Sequence, residues 1–437
     1  MGLGTVLAAQ QIADLRASLQ GGGLPDDPAA LVDLIGELED LKSTACAVQA
    51  EAAVAYDAAR RSAESAQGVP ARRQGRGVAA EVGLARKESP HRGQVLLGFA
   101  KVACAEMPHL VARLKDGTLN EWRAMLLLRE TACLSAEQRA FADEELCADP
   151  TALEGLGTRR LVAKAKRLAY ELDPKAVVDR ASNAAKDRHV SCRPAPDTMT
   201  YVTALLPVGQ GVALHAALKR DAAALIASGD PRSRGQVMAD LLVARVTGVP
   251  MSTGEMPPAV PVGINLTLSA ATLAGGHAPG LVEEEVVPAE IARLLAAHAL
   301  DEGLDTWIRR LYTDHRGRLV AMSSKQRTFP TGLADFLSLR GQGICASPYC
   351  GAPVRHTDHI TPVEDGGETS AENGQALCED CNHVKQAPGW RQHPTDDGGV
   401  ETITPTGHRY RSHAPPPVGW REPRYVQVAP GRYQLIA

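Results

Sequence analysis

The sequence has few aromatic residues and no long apolar run, and both deficits narrow the class of protein. Phe, Trp and Tyr together make up 4% of the 437 residues. Helices that pack through small aliphatic side chains are favoured by such a composition. No apolar run approaches the ~20 residues of a membrane-spanning helix, and the N-terminus has no basic stretch leading into an apolar core, as a secretory signal has. We therefore expect a cytoplasmic protein with no membrane partner.

The chain also lacks an excess of positive charge. Its 47 Lys and Arg residues are outnumbered by 51 Asp and Glu residues, so the formal net charge is −4. Any contact with nucleic acid must therefore depend on local basic patches. One such patch lies between residues 60 and 92, a segment that contains eight basic residues and only three acidic ones. The sequence leaves two interpretations of this patch open: a phosphate-contacting surface, or a solvated helix face and loop.

Helix signals fill most of the chain before residue 320. The spacing of apolar residues predicts a long helix over 30–66 and an amphipathic helix with a basic face over 158–173. Thr118 with Glu121, and Ser135 with Gln138, have the spacing of capping boxes that start helices. The sequence thus predicts a mainly α-helical N-terminal domain.

Two segments are predicted to be strands, and they give this domain a small amount of β structure. They are 198–207, rich in Thr, Val and Tyr, and 262–269, where apolar residues alternate. The predicted organisation has four parts: a flexible N-terminus over 1–29, the helical domain over 30–320, a small α+β module over 321–395, and a Pro- and Arg-rich tail over 396–437.

Four of the nine cysteines form two close pairs inside the predicted module. Cys345 and Cys350 are separated by four residues, and Cys378 and Cys381 by two. Short spacings of this kind let two thiolates of one turn reach the same tetrahedral Zn²⁺ ion. Structural zinc contributes on the order of 10 kcal/mol to the folding of a small module. We interpret the four cysteines as a zinc clasp, and the five scattered ones as buried apolar residues.

The residues between the cysteine pairs have the chemistry of phosphodiester hydrolysis. Asp358-His359 precedes a Gly366-Gly367 turn, and Asn382 follows the last cysteine. A neutral histidine can take a proton from water near neutral pH. Carboxylate and carboxamide oxygens suit a hard divalent cation such as Mg²⁺ or Mn²⁺. Such a cation can activate the water and stabilise charge at phosphorus.

This combination resembles the HNH, or His-Me finger, nucleases over roughly residues 340–392. The resemblance implies a ββα-metal fold that hydrolyses DNA, with double-stranded DNA as the expected substrate and a 5′-phosphate and a 3′-hydroxyl as the products. It implies that His359 is the general base and that Asp358 and Asn382 bind the catalytic Mg²⁺ or Mn²⁺. It further implies that Asn373 braces the loop carrying the histidine, and that the four cysteines bind structural Zn²⁺.

Four other residues of the module have open roles. His383 is interpreted either as an extra metal ligand or phosphate contact, or as a surface residue of the last helix. Lys385, Arg340 and Arg355 are candidate contacts to DNA phosphates. Residues 340–395 nevertheless contain seven acidic and four basic residues. DNA binding therefore needs basic residues from elsewhere in the chain.

The whole layout is similar to that of actinobacterial repeat-type proteins, in which a helical domain of unknown function precedes an HNH module. The likeness is carried by segments such as SRGQVMADLLVARVTG and TDHITPVEDGGETSAENGQALC, and it spans roughly residues 30–392. The leading hypothesis is an active endonuclease. The alternatives are a catalytically silent, zinc-stabilised DNA-binding or interaction protein, and a redox-responsive cysteine module. The sequence leaves the oligomeric state open.

Overall fold

The computed structural model describes residues 9–248, 265–282, 285–301, 328–395, 397–416, 424–429 and 432–436. The chain divides into two compact units. The first contains Met1–Gly68 and Leu96–Val178, and the second contains Val69–Val95 and Asp179–Ala437. The segment 69–95 therefore belongs to the same unit as the cysteine module. The predicted boundary between 320 and 321 lies outside the described residues.

The helices of the described residues account for most of the secondary structure before residue 302. They are α1 (Ala9–Gly21), α2 (Pro28–Ala66), α3 (Val78–Ala85), α4 (Pro90–Glu106), α5 (Pro108–Lys115), α6 (Glu121–Thr131), α7 (Ala136–Asp143), α8 (Thr158–Leu172), α9 (Pro174–Ala184), α10 (Val208–Ala227), α11 (Arg234–Thr247), α12 (Ala270–Leu273), α13 (Ala289–Asp301), α14 (Thr331–Arg340) and α15 (Glu379–Lys385).

The strands form small antiparallel sheets, β1-β2, β3-β4-β5, β6-β7, β8-β9-β10 and β11-β12. Their bounds are β1 (His189–Ala195), β2 (Met199–Leu205), β3 (Leu266–Thr267), β4 (Gly280–Val282), β5 (Glu285–Val287), β6 (His356–His359), β7 (Gly374–Leu377), β8 (Arg391–Pro394), β9 (Val400–Ile403), β10 (Arg409–Ser412), β11 (Arg424–Ala429) and β12 (Arg432–Ile436). The predicted fold class is confirmed: a mainly helical N-terminal region with a little β structure precedes a small α+β module.

The first unit is a helical bundle around one apolar core. Helix α2 packs against α5, and α6 packs against α8. Met107, Leu110 and Leu127 are fully buried in this core. The buried carboxylate of Asp143 accepts hydrogen bonds from the backbone N–H groups of His109, at 2.7 Å, and Leu110, at 2.8 Å. It thereby satisfies two of the donors that the start of α5 leaves unpaired.

Most predicted helix signals of the first unit are confirmed. The long helix over 30–66 is α2, and the amphipathic helix over 158–173 is α8, which buries Leu161 on its apolar face. Ser135 and Gln138 form the predicted capping box of α7. The capping box predicted for Thr118 is wrong. Asn120 caps α6 by accepting from Arg123 N at 3.0 Å, because it lies directly before the helix.

In the second unit, the strand predicted over 198–207 is β2, which pairs with β1 in a hairpin. Strand β1 was not predicted from the sequence, because its only buried residue is Ala195 and no alternation of apolar residues marks it. Of the strand predicted over 262–269, residues 262–264 lie outside the described residues, and β3 covers Leu266–Thr267. The linked strands β8, β9 and β10 continue the module into the predicted tail.

The predicted flexible N-terminus, 1–29, contains helix α1, none of whose residues is buried. Within the described residues, no single helix is both long and apolar enough to cross a membrane, although α4 and α5, which meet at a bend of 110°, satisfy the length and composition criteria as a pair.

Candidate nuclease site and zinc cluster

The Asp-His pair lies at the end of a two-stranded hairpin. In the antiparallel register of β6 and β7, Asp358 lies opposite Gln375 and His359 lies opposite Gly374. Gly374 is required there, since a Cβ atom would lie 2.5 Å from Leu337 Cδ1 and 2.8 Å from Phe329 Cε1. Helix α14 can therefore pack directly against the hairpin. The close packing gives the Asp-His pair a rigid support.

His359 is buried, with 8% of its surface exposed. Its Nε2 atom lies 2.8 Å from the hydroxyl of Thr369, and its ring centroid lies 4.5 Å from that of Phe329. Burial lowers the pKa of His359 below its ordinary value, with a further lowering by Lys385, while the Asp358 carboxylate acts in the opposite direction. The neutral imidazole, which can accept a proton, is thereby favoured.

Asn373 ties together the loop that follows His359. Its Oδ1 atom accepts from Thr361 N at 2.8 Å, and its Nδ2 group donates to the carbonyls of Thr361, at 3.0 Å, and Glu368, at 2.9 Å. Its own carbonyl accepts from Ile360 N at 2.7 Å. Asn373 is buried, so these hydrogen bonds are shielded from competing water. They hold the chain immediately after His359 in one conformation.

Lys385 contacts the Asp-His pair directly. Its Nζ atom lies 2.6 Å from Asp358 Oδ2 and also donates to the backbone carbonyl of His359. The Lys385 side chain is only 9% exposed and the Asp358 side chain 28%. Lys385 was predicted from the sequence as a contact to DNA phosphates. In the structure its ammonium group instead pairs with Asp358, the predicted metal ligand.

Asn382 lies one helical turn before Lys385 on α15, so both project from the same side of that helix. Its Oδ1 atom is buried and has no hydrogen-bond partner among the described residues. An unpaired buried oxygen is costly unless something supplies a positive charge or a donor. A carboxamide oxygen of this kind fits the preference of Mg²⁺ or Mn²⁺ for hard ligands. His383, on the same helix, is exposed.

The two flanking arginines differ in their surroundings. Arg340, at the end of α14, donates to the carbonyls of Ala371 and, at 2.6 Å, Gly374. Burial lowers the pKa of its guanidinium. Arg340 therefore bonds to the backbone that leads into β7. Arg355 is exposed, and its side chain is available to a phosphate.

The four cysteines of the two pairs converge, and their sulfur atoms all lie within 4.8 Å of one another. Cys378 caps α15 by accepting from Cys381 N at 3.5 Å, and its sulfur lies 3.8 Å from that of Cys350. Hydrogen bonds from Cys350 and Cys381 lower the pKa of the Cys345 thiol to about 2. The same contact with Cys345 raises the pKa of Cys350 to about 12. The cluster fits a tetrahedral structural zinc ion, which would stabilise all four thiolates.

Three neighbours of the site were not identified from the sequence. Thr369 and Phe329 contact the His359 ring, and Gln375, 1% exposed, donates to Gln392 Oε1 at 2.6 Å. Thr369 lies in a polar loop and Gln375 in a short strand. Neither the spacing nor the composition of the sequence around Thr369 and Gln375 distinguishes them from ordinary surface residues.

A two-stranded hairpin bearing an Asp-His pair, followed by a helix and clasped by four cysteines, defines an HNH-type module. In agreement, the family model described as HNH endonuclease matches residues 345–387. The family model described as "Domain of unknown function (DUF222)" matches residues 38–341, and the chain belongs to that family. Searches of curated proteins and of solved structures found no match to the chain.

Proposed function

We propose that this protein is a divalent-metal-dependent endonuclease that hydrolyses phosphodiester bonds of double-stranded DNA. The observation that carries the proposal is the meeting of β6 and α15. Asp358 and His359 end the strand, and Lys385, one turn from Asn382, reaches across to them from the helix. An acidic oxygen, a carboxamide oxygen and a histidine of lowered pKa thus belong to two adjoining elements.

Each residue has a distinct role in the proposed reaction. His359 accepts a proton from the attacking water as general base. Asp358 and Asn382 hold Mg²⁺ or Mn²⁺, which when bound supplies charge stabilisation at the phosphate. Asn373 keeps the loop after His359 in place through its bonds to Thr361. His383 is exposed on α15, so if it is an extra metal ligand or a phosphate contact, it would act from the solvent-exposed surface of that helix.

One observation favours a second candidate, a silent zinc-stabilised protein that binds DNA or another partner. The Lys385 ammonium already pairs with Asp358. A stable ion pair of that kind competes with a metal for the same carboxylate oxygen. In the silent protein, the pair would be a permanent structural contact of the hairpin.

Plasmid cleavage separates the two candidates. The zinc-loaded protein is incubated with supercoiled DNA and Mg²⁺ or Mn²⁺, and His359→Ala is compared with the parent. We expect His359→Ala to lower the cleavage rate by a factor of about 10²–10⁴, the usual contribution of a general base. His356→Ala is the matched control, because His356 is exposed and lies three residues earlier on the same strand. Intact plasmid with every metal would support the silent protein instead.

A further inference from the structure

The HNH module has too few basic residues to hold DNA by itself. Residues 340–395 have three more acidic than basic residues. Two of the basic residues, Arg340 and Lys385, are engaged with backbone carbonyls and with Asp358. Affinity for a DNA backbone arises mainly from cations that neutralise phosphates. Such cations must therefore come from elsewhere in the chain.

Segment 69–95 is anchored to the module, although it lies about 300 positions earlier in the sequence. The buried Glu81 accepts from the Thr406 hydroxyl at 2.7 Å and from Thr406 N at 3.3 Å. Gly77 lies against Trp390, so closely that a Cβ atom would be 2.4 Å from the indole nitrogen. Polar and close apolar contacts together attach this segment firmly.

The anchoring helix α3 lies beside α15, which carries the site. Six of the eight residues of α3 are buried. Two of them, Ala80 and Leu84, line one small cavity together with Val384 and Lys385 of α15. Segment 69–95 is thus placed next to the helix whose Lys385 reaches Asp358.

The side of segment 69–95 that faces solvent is basic. Its exposed cations have no ion pair with any described residue, and they are Arg72, Arg73, Arg76 and Lys87. Its two acidic residues are the buried Glu81 and the exposed Glu88. The loop is ordered before any ligand binds, since Arg73 N donates to Pro70 O at 2.8 Å and Gln74 Nε2 donates to Val69 O at 2.8 Å. Little ordering entropy would then oppose binding.

We propose that segment 69–95 is the surface on which DNA docks for the nuclease site, with Arg72, Arg73, Arg76 and Lys87 bonded to backbone phosphates. The inference rests on the proposed function for its choice of DNA as partner. Phosphate contacts position a duplex without reading its sequence. The segment therefore supplies affinity and orientation, while the module supplies the chemistry.

The test measures binding to a short DNA duplex by fluorescence anisotropy over a salt series, in the His359→Ala background so that cleavage does not interfere. One variant combines Arg72→Ala, Arg73→Ala and Arg76→Ala. We expect the Kd to rise ~30-fold or more near 0.1 M salt, and the slope of log K against log[salt] to become shallower by about 2–3. A second variant, with lysine at the same three positions, keeps the charges and should bind within about threefold of the parent.

The matched control removes three exposed arginines from the first unit, by Arg159→Ala, Arg160→Ala and Arg167→Ala on α8. It should leave the Kd and the salt slope nearly unchanged. Equal losses in both alanine variants would overturn the inference, as would an unchanged Kd in the first. Tighter binding to an RNA duplex than to DNA would overturn the choice of partner. None of these results depends on cleavage, so the inference and the proposed nuclease activity can fail separately.

Discussion

Lys385 and Asp358 form an ion pair at 2.6 Å that joins the end of α15 to the end of β6. The same ammonium also donates to the carbonyl of His359. Within the second unit, this one lysine therefore neutralises the carboxylate assigned to the metal and holds the backbone of the assigned base. The pair has direct consequences for metal binding.

Lys385→Met should strengthen binding of Mn²⁺ by about 10-fold, because removing one competing cation beside the carboxylate is worth on the order of 1 kcal/mol. Methionine keeps most of the length and apolar contact of the lysine stem. Calorimetric titration of zinc-loaded protein with Mn²⁺ measures the change. Lys219→Met, at an exposed position on α10, is the control for general loss of charge. Weaker Mn²⁺ binding in Lys385→Met would show instead that the lysine supports the metal site.

The pH dependence of cleavage follows from the lowered pKa of His359. A general base acts only when neutral, so the rate should rise with pH through an apparent pKa below about 6.5 and then level off. The direction is set mainly by burial of the ring, which disfavours the imidazolium. A pH–rate profile of kcat/KM measures this, with His356→Ala expected to give the same curve. An apparent pKa above 6.5 would contradict the assignment.

Loss of one cysteine of the cluster should remove the zinc and unfold the module. Cys378→Ser deletes a sulfur that lies close to Cys350 and that is a predicted zinc ligand, and structural zinc contributes on the order of 10 kcal/mol to such folds. Metal content and limited proteolysis of residues 340–395 report the outcome. Cys192→Ser is the control, and because Cys192 is exposed in β1 rather than buried as predicted, this variant should keep its zinc. Full zinc content in Cys378→Ser would show that the cysteine is not a ligand.

Gly77→Ala should destabilise the second unit by about 2–4 kcal/mol, through backbone strain at positive φ and a collision with Trp390. Gly77 has φ +85°, and its added Cβ would meet the indole nitrogen. Gly366→Ala separates the two effects, since Gly366 has φ +86° and open space around it. That control should cost about 1 kcal/mol. Denaturant unfolding followed by Trp fluorescence measures both, and equal costs would mean that Trp390 moves aside freely.

Much of the candidate site could be predicted because its signals are local. Cys378 and Cys381 lie within one turn, so their spacing alone indicates a shared ligand. Ser135 and Gln138 likewise interact across a single helical turn. The nuclease-type motif could be recognised for the same reason, from the order of Asp358, His359, Asn373 and Asn382. In the structure, Asp358 and His359 lie on β6 and Asn382 lies on α15. Their assigned roles remain predictions.

Contacts between distant positions were not predictable, since no pattern in the sequence links their partners. The sequence by itself determined the helical class of the N-terminal region, the cysteine cluster and the identity of the nuclease-type motif, because periodicity and spacing act over a few residues. Only the tertiary structure decided that Lys385 pairs with Asp358 and that Glu81 bonds to Thr406, 325 positions away. Those pairings depend on how strands and helices pack, and packing is a property of the whole unit.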